Sequence, residues 1–189
     1  MNKYIMQYCQ PFHIPNLEQI QQEFLNYLDG KLSPTIRGIE IDKSELYNFP
    51  VLLNYIQSLT KFDLVDKRPL KFYVNHPGQD TWPHMDIRQP PVALNIPILN
   101  TKKTEFYYCC TDASNLKPSY GNDAGHKSAI ICKDLTKIIK LESTDLTVPH
   151  LVRTDILHGV KNNNSTMRII ASVRWRNWKK DFQGFFNKV

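Results

Sequence analysis

The fold of this chain is decided at the sequence LKFYVNHPGQD, residues 70–80, where the spacing of the apolar residues changes. Leu70, Phe72 and Val74 alternate with Lys, Tyr and Asn, which is the period of a β-strand with one buried face. The Pro-Gly pair that follows is typical of a tight turn. From here to residue 176 the segments are short and are separated by Gly, Pro, Asn and Asp, so this region is predicted to be β-structure.

The β-rich region divides into eight or nine short segments of strand length. We predict strands near residues 70–75, 82–88, 91–99, 104–110, 128–132, 136–141, 145–148, 152–158 and 167–176. Residues 111–127 interrupt the pattern with polar residues and glycine, and two readings stay open for them, a lid over a binding cavity and an ordinary surface loop.

Upstream of residue 70 the apolar spacing is helical. Asn16 can cap a first helix that Gly30 ends, and its apolar face recurs at intervals of three and four, at Leu17, Ile20, Phe24 and Leu28. A second amphipathic segment begins at Ser44, and Pro50 either kinks it or marks its true beginning. Helices followed by many short strands predict a mainly β barrel or sandwich with helices along one side.

Length and composition favour one domain. The chain has 189 residues, of which 41% are hydrophobic and 22% charged, and no run of eighteen apolar residues. These values exclude wholesale disorder and predict no membrane span. The first residues hold no apolar signal core, so we expect a cytoplasmic protein. The four cysteines have no Cys-x-x-Cys spacing, and adjacent Cys109 and Cys110 would point to opposite faces of a strand, which fits reduced thiols.

We predict a single domain over residues 1–189. It comprises a helical support at 1–66, a β-barrel core at 70–176 and a basic aromatic tail at 177–189. Most of the net charge of +6 lies near the end, since residues 167–189 hold six Lys or Arg and one Asp. A solvated tail explains this best, although a nucleic-acid contact is the other reading.

The motif that carries chemistry is WPHMD, residues 82–86, because His84 and Asp86 are two apart on a predicted strand and project to the same face. An imidazole and a carboxylate suit Fe(II), and a second histidine would complete the facial triad that leaves coordination positions open. Two downstream residues can supply it, His150 and His158.

The segment TDILHGV, residues 154–160, and the segment MRIIASVRW, residues 167–175, resemble the end of the double-stranded β-helix in the Fe(II)/2-oxoglutarate-dependent oxygenase superfamily. The matching pattern is His-x-Asp, then His, then Arg ten positions later. It selects His158, because Arg168 lies at that offset, whereas Val160 lies ten residues after His150. The resemblance covers residues 70–176 and implies a jelly-roll or cupin-like barrel.

The resemblance also implies roles for individual residues. His84, Asp86 and His158 would bind Fe(II), while 2-oxoglutarate would bind the iron together with O2 and pair its far carboxylate with Arg168. Arg174 is the alternative anchor. Three further side chains are candidates for contact with the cosubstrate, namely Tyr73, Asn75 and Asn95. Arg88 is a candidate for contact with an acidic group of the substrate.

The implied activity is hydroxylation of a C–H bond with release of succinate and CO2, since halogenating relatives lack the carboxylate ligand that Asp86 supplies. Residues 84–98 are similar to aspartyl/asparaginyl and prolyl hydroxylases, so the expected substrate is an amino-acid or protein side chain, free or within a partner. Two alternatives remain, a nucleic-acid-modifying 2-oxoglutarate oxygenase and a non-catalytic β-barrel binding module.

Overall fold

The computed structural model describes residues 8–59, 64–65, 68–87, 90–120, 127–174 and 176. These contain two α-helices, α1 (Leu17–Leu28) and α2 (Pro50–Ser58), with a 3-10 turn at Lys43–Asn48 before α2. The strands, in chain order, are β1 (Cys9–Pro11), β2 (Gly38–Ile41), β3 (Leu70–Asn75), β4 (Asp80–Asp86), β5 (Val92–Leu99), β6 (Thr104–Cys110), β7 (Leu116–Tyr120), β8 (Lys127–Cys132), β9 (Ile139–Thr144), β10 (His150–Arg153), β11 (His158–Asn162) and β12 (Arg168–Arg174).

The strands form two antiparallel six-stranded sheets, with the orders β1-β10-β5-β12-β3-β2 and β7-β8-β4-β11-β6-β9. Without the outer strands β1 and β2 of the first sheet and β7 and β8 of the second, each sheet has four strands, and the chain alternates between the sheets except from β6 to β9. This strand order is that of a double-stranded β-helix, or jelly roll. The predicted fold class is therefore confirmed.

The first sheet has a different environment on each face, and β12 shows this most clearly. Ile169, Ala171 and Val173 belong to the main apolar core, while the alternate residues of β12 line a cavity between the sheets. The core is completed by the helices, whose buried residues are Ile20, Phe24 and Leu28 of α1 and Leu52 and Ile56 of α2. The helices thus support the outer face of the sheet and leave its inner face for the cavity.

Aromatic packing fixes the helices on the sheet. Phe24 of α1 lies with its ring edge-on to Phe72 of β3, at 5.2 Å between centroids, and also meets Phe49 at 5.4 Å. Such pairs contribute about 0.5–1.5 kcal/mol each beyond the area they bury. No helix within the described ranges is both long and apolar enough to cross a membrane.

Several predicted boundaries were wrong. Residues 1–66 are not only helical, because β1 and β2 of this segment extend the first sheet. The predicted strand at 145–148 does not form. The predicted strand at 152–158 is divided, so that β10 ends at Arg153 and His158 begins β11 instead of ending a strand.

The polar segment 111–127 is more ordered than its composition predicts. It contains a 3-10 turn at Ala113–Asn115 and the strand β7, which pairs with β8. Residues 121–126, which hold the rest of the predicted loop, lie outside the described residues, as does the tail at 177–189. Cys109 is buried and Cys110 exposed, as expected for adjacent residues of one strand, and Cys9, Cys109, Cys110 and Cys132 are all free.

Candidate metal centre

The inner faces of the two sheets enclose a cavity of about 70 Å³. Seven of the eight candidate site residues line the cavity: Tyr73, Asn75, His84, Asp86, Asn95, His158 and Arg168. The eighth candidate, Arg88, lies outside the described residues.

The two histidines meet because their strands are neighbours. His158 is the antiparallel partner of His84 in the β4–β11 ladder, and the two ring centroids are 4.5 Å apart. Each Nδ1 lies against the carbonyl oxygen two residues earlier in the chain, 3.0 Å from Trp82 O for His84 and 2.8 Å from Ile156 O for His158. A carbonyl only accepts, so Nδ1 carries the proton and Nε2 is left as the ligating atom.

His158 is the more buried of the two imidazoles. The Phe106 ring stacks on it at 5.6 Å between centroids, and burial together with the neighbouring His84 lowers the pKa of His158 to about 4. His158 is therefore neutral at pH 7, which is the form that binds a metal.

Asp86 is held by an arginine. Arg174 Nη2 donates to Asp86 Oδ2 at 2.7 Å, while the other oxygen, Oδ1, lies 4.0 Å from His84 Nε2. Burial would raise the pKa of Asp86, but the charge of Arg174, together with the neighbouring His84 and His158, outweighs it and keeps the pKa of Asp86 below its ordinary value. The carboxylate is thus ionised and presents one oxygen toward the histidines.

Arg168 differs from Arg174 in that two of its nitrogen atoms have no hydrogen-bond partner. It is fully buried, and Nη1 donates to Asn75 Oδ1 at 2.8 Å, but Nε and Nη2 have no hydrogen-bond partner. Burial lowers the pKa of Arg168 to about 10, so it is still charged at pH 7. Buried donors without a partner are rare, and two on one guanidinium indicate a site for an anion with two oxygens.

The remaining candidates differ in what they contact. Asn75 bonds Arg168, and its Nδ2 donates to Thr81 Oγ1 at 3.1 Å, so it orients the guanidinium. Tyr73 instead lies near Arg174 and contributes to the raised pKa of that guanidinium. Asn95 is buried on β5 and lines the cavity.

Among the cavity residues that sequence reasoning missed, two contact the candidate residues directly. Phe106 provides the stacking wall for His158, and buried Thr154 accepts a hydrogen bond from Arg174 Nη1 at 3.3 Å. Neither has a signal in the sequence, because Phe106 reads as an ordinary strand residue and Thr154 as part of a strand.

The donor set fits a divalent metal such as iron in chemistry, though the side chains lie further apart than in a metal-bound site. Within the described ranges, no three His, Cys, Asp or Glu side chains as they lie could hold a metal ion. Adjacent ligands of an octahedral ion with 2.1 Å bonds are about 3 Å apart. Since His84 Nε2 and Asp86 Oδ1 are 4.0 Å apart, a shift of about 1 Å would bring them to that distance.

Comparison with known proteins gives structural neighbours only. No family model matches the chain, and no curated protein matches it. AviO1 from Streptomyces viridochromogenes Tue57 is similar with a TM-score of 0.47 and 8% identity, over 93% of this chain and 92% of that one.

HygX from Streptomyces hygroscopicus, in a structure with nickel and 2-oxoglutarate bound, has a TM-score of 0.48 and 12% identity over 91% of this chain and 86% of its own. ThoJ, described as a non-heme monooxygenase, has a TM-score of 0.38 and 13% identity over 90% of this chain and 73% of its own.

Proposed function

We propose that this chain is an Fe(II)- and 2-oxoglutarate-dependent dioxygenase that hydroxylates a C–H bond of an amino-acid or protein side chain. One observation carries the proposal: the cavity that holds His84, Asp86 and His158 also holds a buried arginine with two unpaired donors. A two-histidine, one-carboxylate set is the ligand pattern of non-haem Fe(II) oxygenases. The unpaired arginine adds a place for an anionic cosubstrate.

The ligand atoms are His84 Nε2, His158 Nε2 and Asp86 Oδ1. When bound, iron would supply the activation of dioxygen, which no side chain can provide. The chain contributes the positions of these atoms, because the carbonyls of Trp82 and Ile156 orient the imidazoles.

Arg168 is the proposed anchor for the far carboxylate of 2-oxoglutarate. Its free Nε and Nη2 can donate to the two oxygens of one carboxylate, a geometry that a guanidinium matches and an ammonium does not. Arg174, the alternative anchor, already donates to Asp86, so its charge is neutralised within the protein. The structure therefore supports Arg168 over Arg174.

The cavity wall supplies the dry surroundings that oxidation requires. Four apolar side chains line it, namely Phe106, Val152, Val160 and Ile170. Excluding water strengthens the ion pair with Arg168 and limits side reactions. Hydroxylation as the outcome, and an amino-acid side chain as the substrate, rest on the sequence resemblance of residues 84–98 and on the presence of Asp86.

The test is anaerobic addition of Fe(II) and 2-oxoglutarate, followed by the visible metal-to-ligand charge-transfer band. The wild-type protein should develop the band, and His84→Ala and His158→Ala should not, because each loses a ligand. His150→Ala is the matched control: His150 is a buried histidine whose Nδ1 also lies against a carbonyl, Val148 O at 2.7 Å, but it does not line the cavity.

The band in wild type and His150→Ala, but not in the other two variants, supports the proposed site. Its absence from folded wild-type protein refutes the proposal. Release of succinate on admitting air, with and without a panel of amino acids and peptides, then separates an oxygenase from a non-catalytic binding module. A nucleic-acid substrate would instead show itself as succinate release that depends on added DNA or RNA.

A further inference from the structure

The end of β12 carries a buried ion pair that the metal-ligand pattern does not require. Arg174 is 7% exposed, and its Nη2 donates to Asp86 Oδ2 at 2.7 Å. A guanidinium removed from water must be paired to be tolerated, and here its counterion is the one carboxylate of the proposed iron site.

Arg174 is itself fixed in place by the loop that follows β10. Its Nη1 donates to Thr154 Oγ1 at 3.3 Å, and Thr154 in turn donates from its hydroxyl to Pro90 O at 3.2 Å. A backbone hydrogen bond closes this network, since Asp86 N donates to Thr154 O at 2.8 Å. The carboxylate, the guanidinium and the threonine thus hold one another from three separate segments.

This arrangement decides which oxygen of Asp86 is available. Oδ2 is occupied by the guanidinium, and Oδ1 is the oxygen on the side of His84. A carboxylate free of such a partner can turn both oxygens toward a cation. With Oδ2 held by the guanidinium, Oδ1 is the oxygen that faces the other proposed ligands.

We propose that Arg174 is a positioning residue that restricts Asp86 to ligation through a single oxygen and keeps it in place for the metal. The inference rests on the proposed function, because it presupposes that Asp86 is a metal ligand. It gives the second arginine of β12 a role different from that of Arg168, whose Nη1 donates to the uncharged amide of Asn75.

The test uses Co(II), whose visible d–d spectrum reports the ligand geometry. Co(II) affinity and spectrum are measured for the wild-type protein, for Arg174→Gln and for Arg174→Lys, with thermal unfolding as the check of folding. Arg174→Gln should lower Co(II) affinity about 10–100-fold, as is typical when the partner of a ligand is lost, and should change the spectrum. Arg174→Lys, which keeps the charge but not the forked geometry, should restore part of the affinity.

Arg168→Gln is the matched control, because it alters an arginine on the same face of the same strand. It should keep the wild-type affinity and spectrum for Co(II) while losing binding of 2-oxoglutarate. If Arg174→Gln does not fold, intermediate affinity with an altered spectrum in Arg174→Lys supports the proposal. Co(II) binding within threefold of wild type and an unchanged spectrum in every folded Arg174 variant would overturn it. Failure of the wild-type protein to bind Co(II) would overturn both the metal site and this role of Arg174.

Discussion

Replacement of Arg168 by methionine gives the sharpest test of the site, because binding and stability should change in opposite directions. The side chain of methionine is also unbranched, but it is two atoms shorter and has no charge and no donor. In the protein without ligand, Arg168 leaves Nε and Nη2 unpaired and donates one hydrogen bond, from Nη1 to Asn75. An arginine kept for stability would have these groups paired.

The loss of binding follows from the two free donors. A hydrogen bond to a charged group contributes about 1.5–3 kcal/mol, so two such bonds contribute about 3–6 kcal/mol. At 1.4 kcal/mol for each factor of ten, Arg168→Met should weaken binding of 2-oxoglutarate by about 10²- to 10⁴-fold. Isothermal titration of the Co(II)-loaded protein with 2-oxoglutarate measures this change directly.

The stability of the unliganded protein should stay level or rise. Each unpaired buried donor costs about 1–3 kcal/mol, and methionine removes two of them while losing the bond to Asn75, at about 1.5–3 kcal/mol. The free energy of unfolding in urea should therefore be unchanged or higher, by up to about 4 kcal/mol. Arg174→Met is the control, since it leaves Asp86 as a buried unpaired carboxylate and should cost about 3–5 kcal/mol.

Two results would refute this reasoning. One is 2-oxoglutarate binding to Arg168→Met with the affinity of the wild type. The other is a fall in unfolding free energy for Arg168→Met as large as that for Arg174→Met, which would mean that both arginines are structural.

Three further predictions concern the support of the site and are measured by urea unfolding. Gly159→Ala should destabilise the protein by about 1–3 kcal/mol, because the added Cβ would lie 2.6 Å from the ring of Tyr107, and adding Tyr107→Leu should recover part of the loss. Asn162→Ala should cost about 2–4 kcal/mol, since this fully buried amide donates to three backbone carbonyls at the turn beside β3; an effect below 1 kcal/mol would contradict the prediction. Burial lowers the pKa of His150 below the ordinary 6.5, so the unfolded chain takes up a proton first and the protein loses stability as the pH falls below 6.5. His150→Gln should reduce the dependence of the unfolding free energy on pH in this range by up to about 1.4 kcal/mol per pH unit. The same pH dependence in the variant and the wild type would contradict the prediction.

The fold could be predicted because its signals are local. The change of period at residue 70, and the helical spacing before it, need no tertiary information. The missed strands are those whose existence depends on a partner. β2 has only four residues, and β7 contains Pro118, which is tolerated because β7 is the edge strand of its sheet.

The boundary before His158 shows how tertiary hydrogen bonds override local preference. Residues 152–158 read as one strand, yet Thr154 N donates to Pro91 O and Thr154 O accepts from Asp86 N. These bonds to two other segments divert the chain, and the ladder resumes only at His158. The same diversion carries Thr154 to Arg174 and His158 to the register position opposite His84.

His84 and Asp86 could be chosen from the sequence because residues two apart on a strand share a face, whereas His158 was chosen by the family resemblance of the segments at 154–160 and 167–175. The structure brings His84, Asp86 and His158 to one cavity, while their role as ligands stays a prediction. The distinction between Arg168 and Arg174 could not be made in this way. Both lie on the inner face of β12, and both are buried.

The partners of the two arginines differ in charge, and this difference determines what the cavity can bind. Asp86 and Arg174 neutralise each other, whereas Arg168 faces the uncharged amide of Asn75 and keeps its full charge. A divalent metal held by two neutral imidazoles and the paired carboxylate would add positive charge to the same enclosed space. Two centres of positive charge, the metal and Arg168, then call for a ligand with an anionic group at each end. A dicarboxylate such as 2-oxoglutarate meets that requirement, while a monocarboxylate would leave one centre unpaired in a low-dielectric cavity. Comparing 2-oxoglutarate with 2-oxobutyrate, which lacks the far carboxylate, should therefore show a large loss of affinity in the wild-type protein and a small one in Arg168→Met.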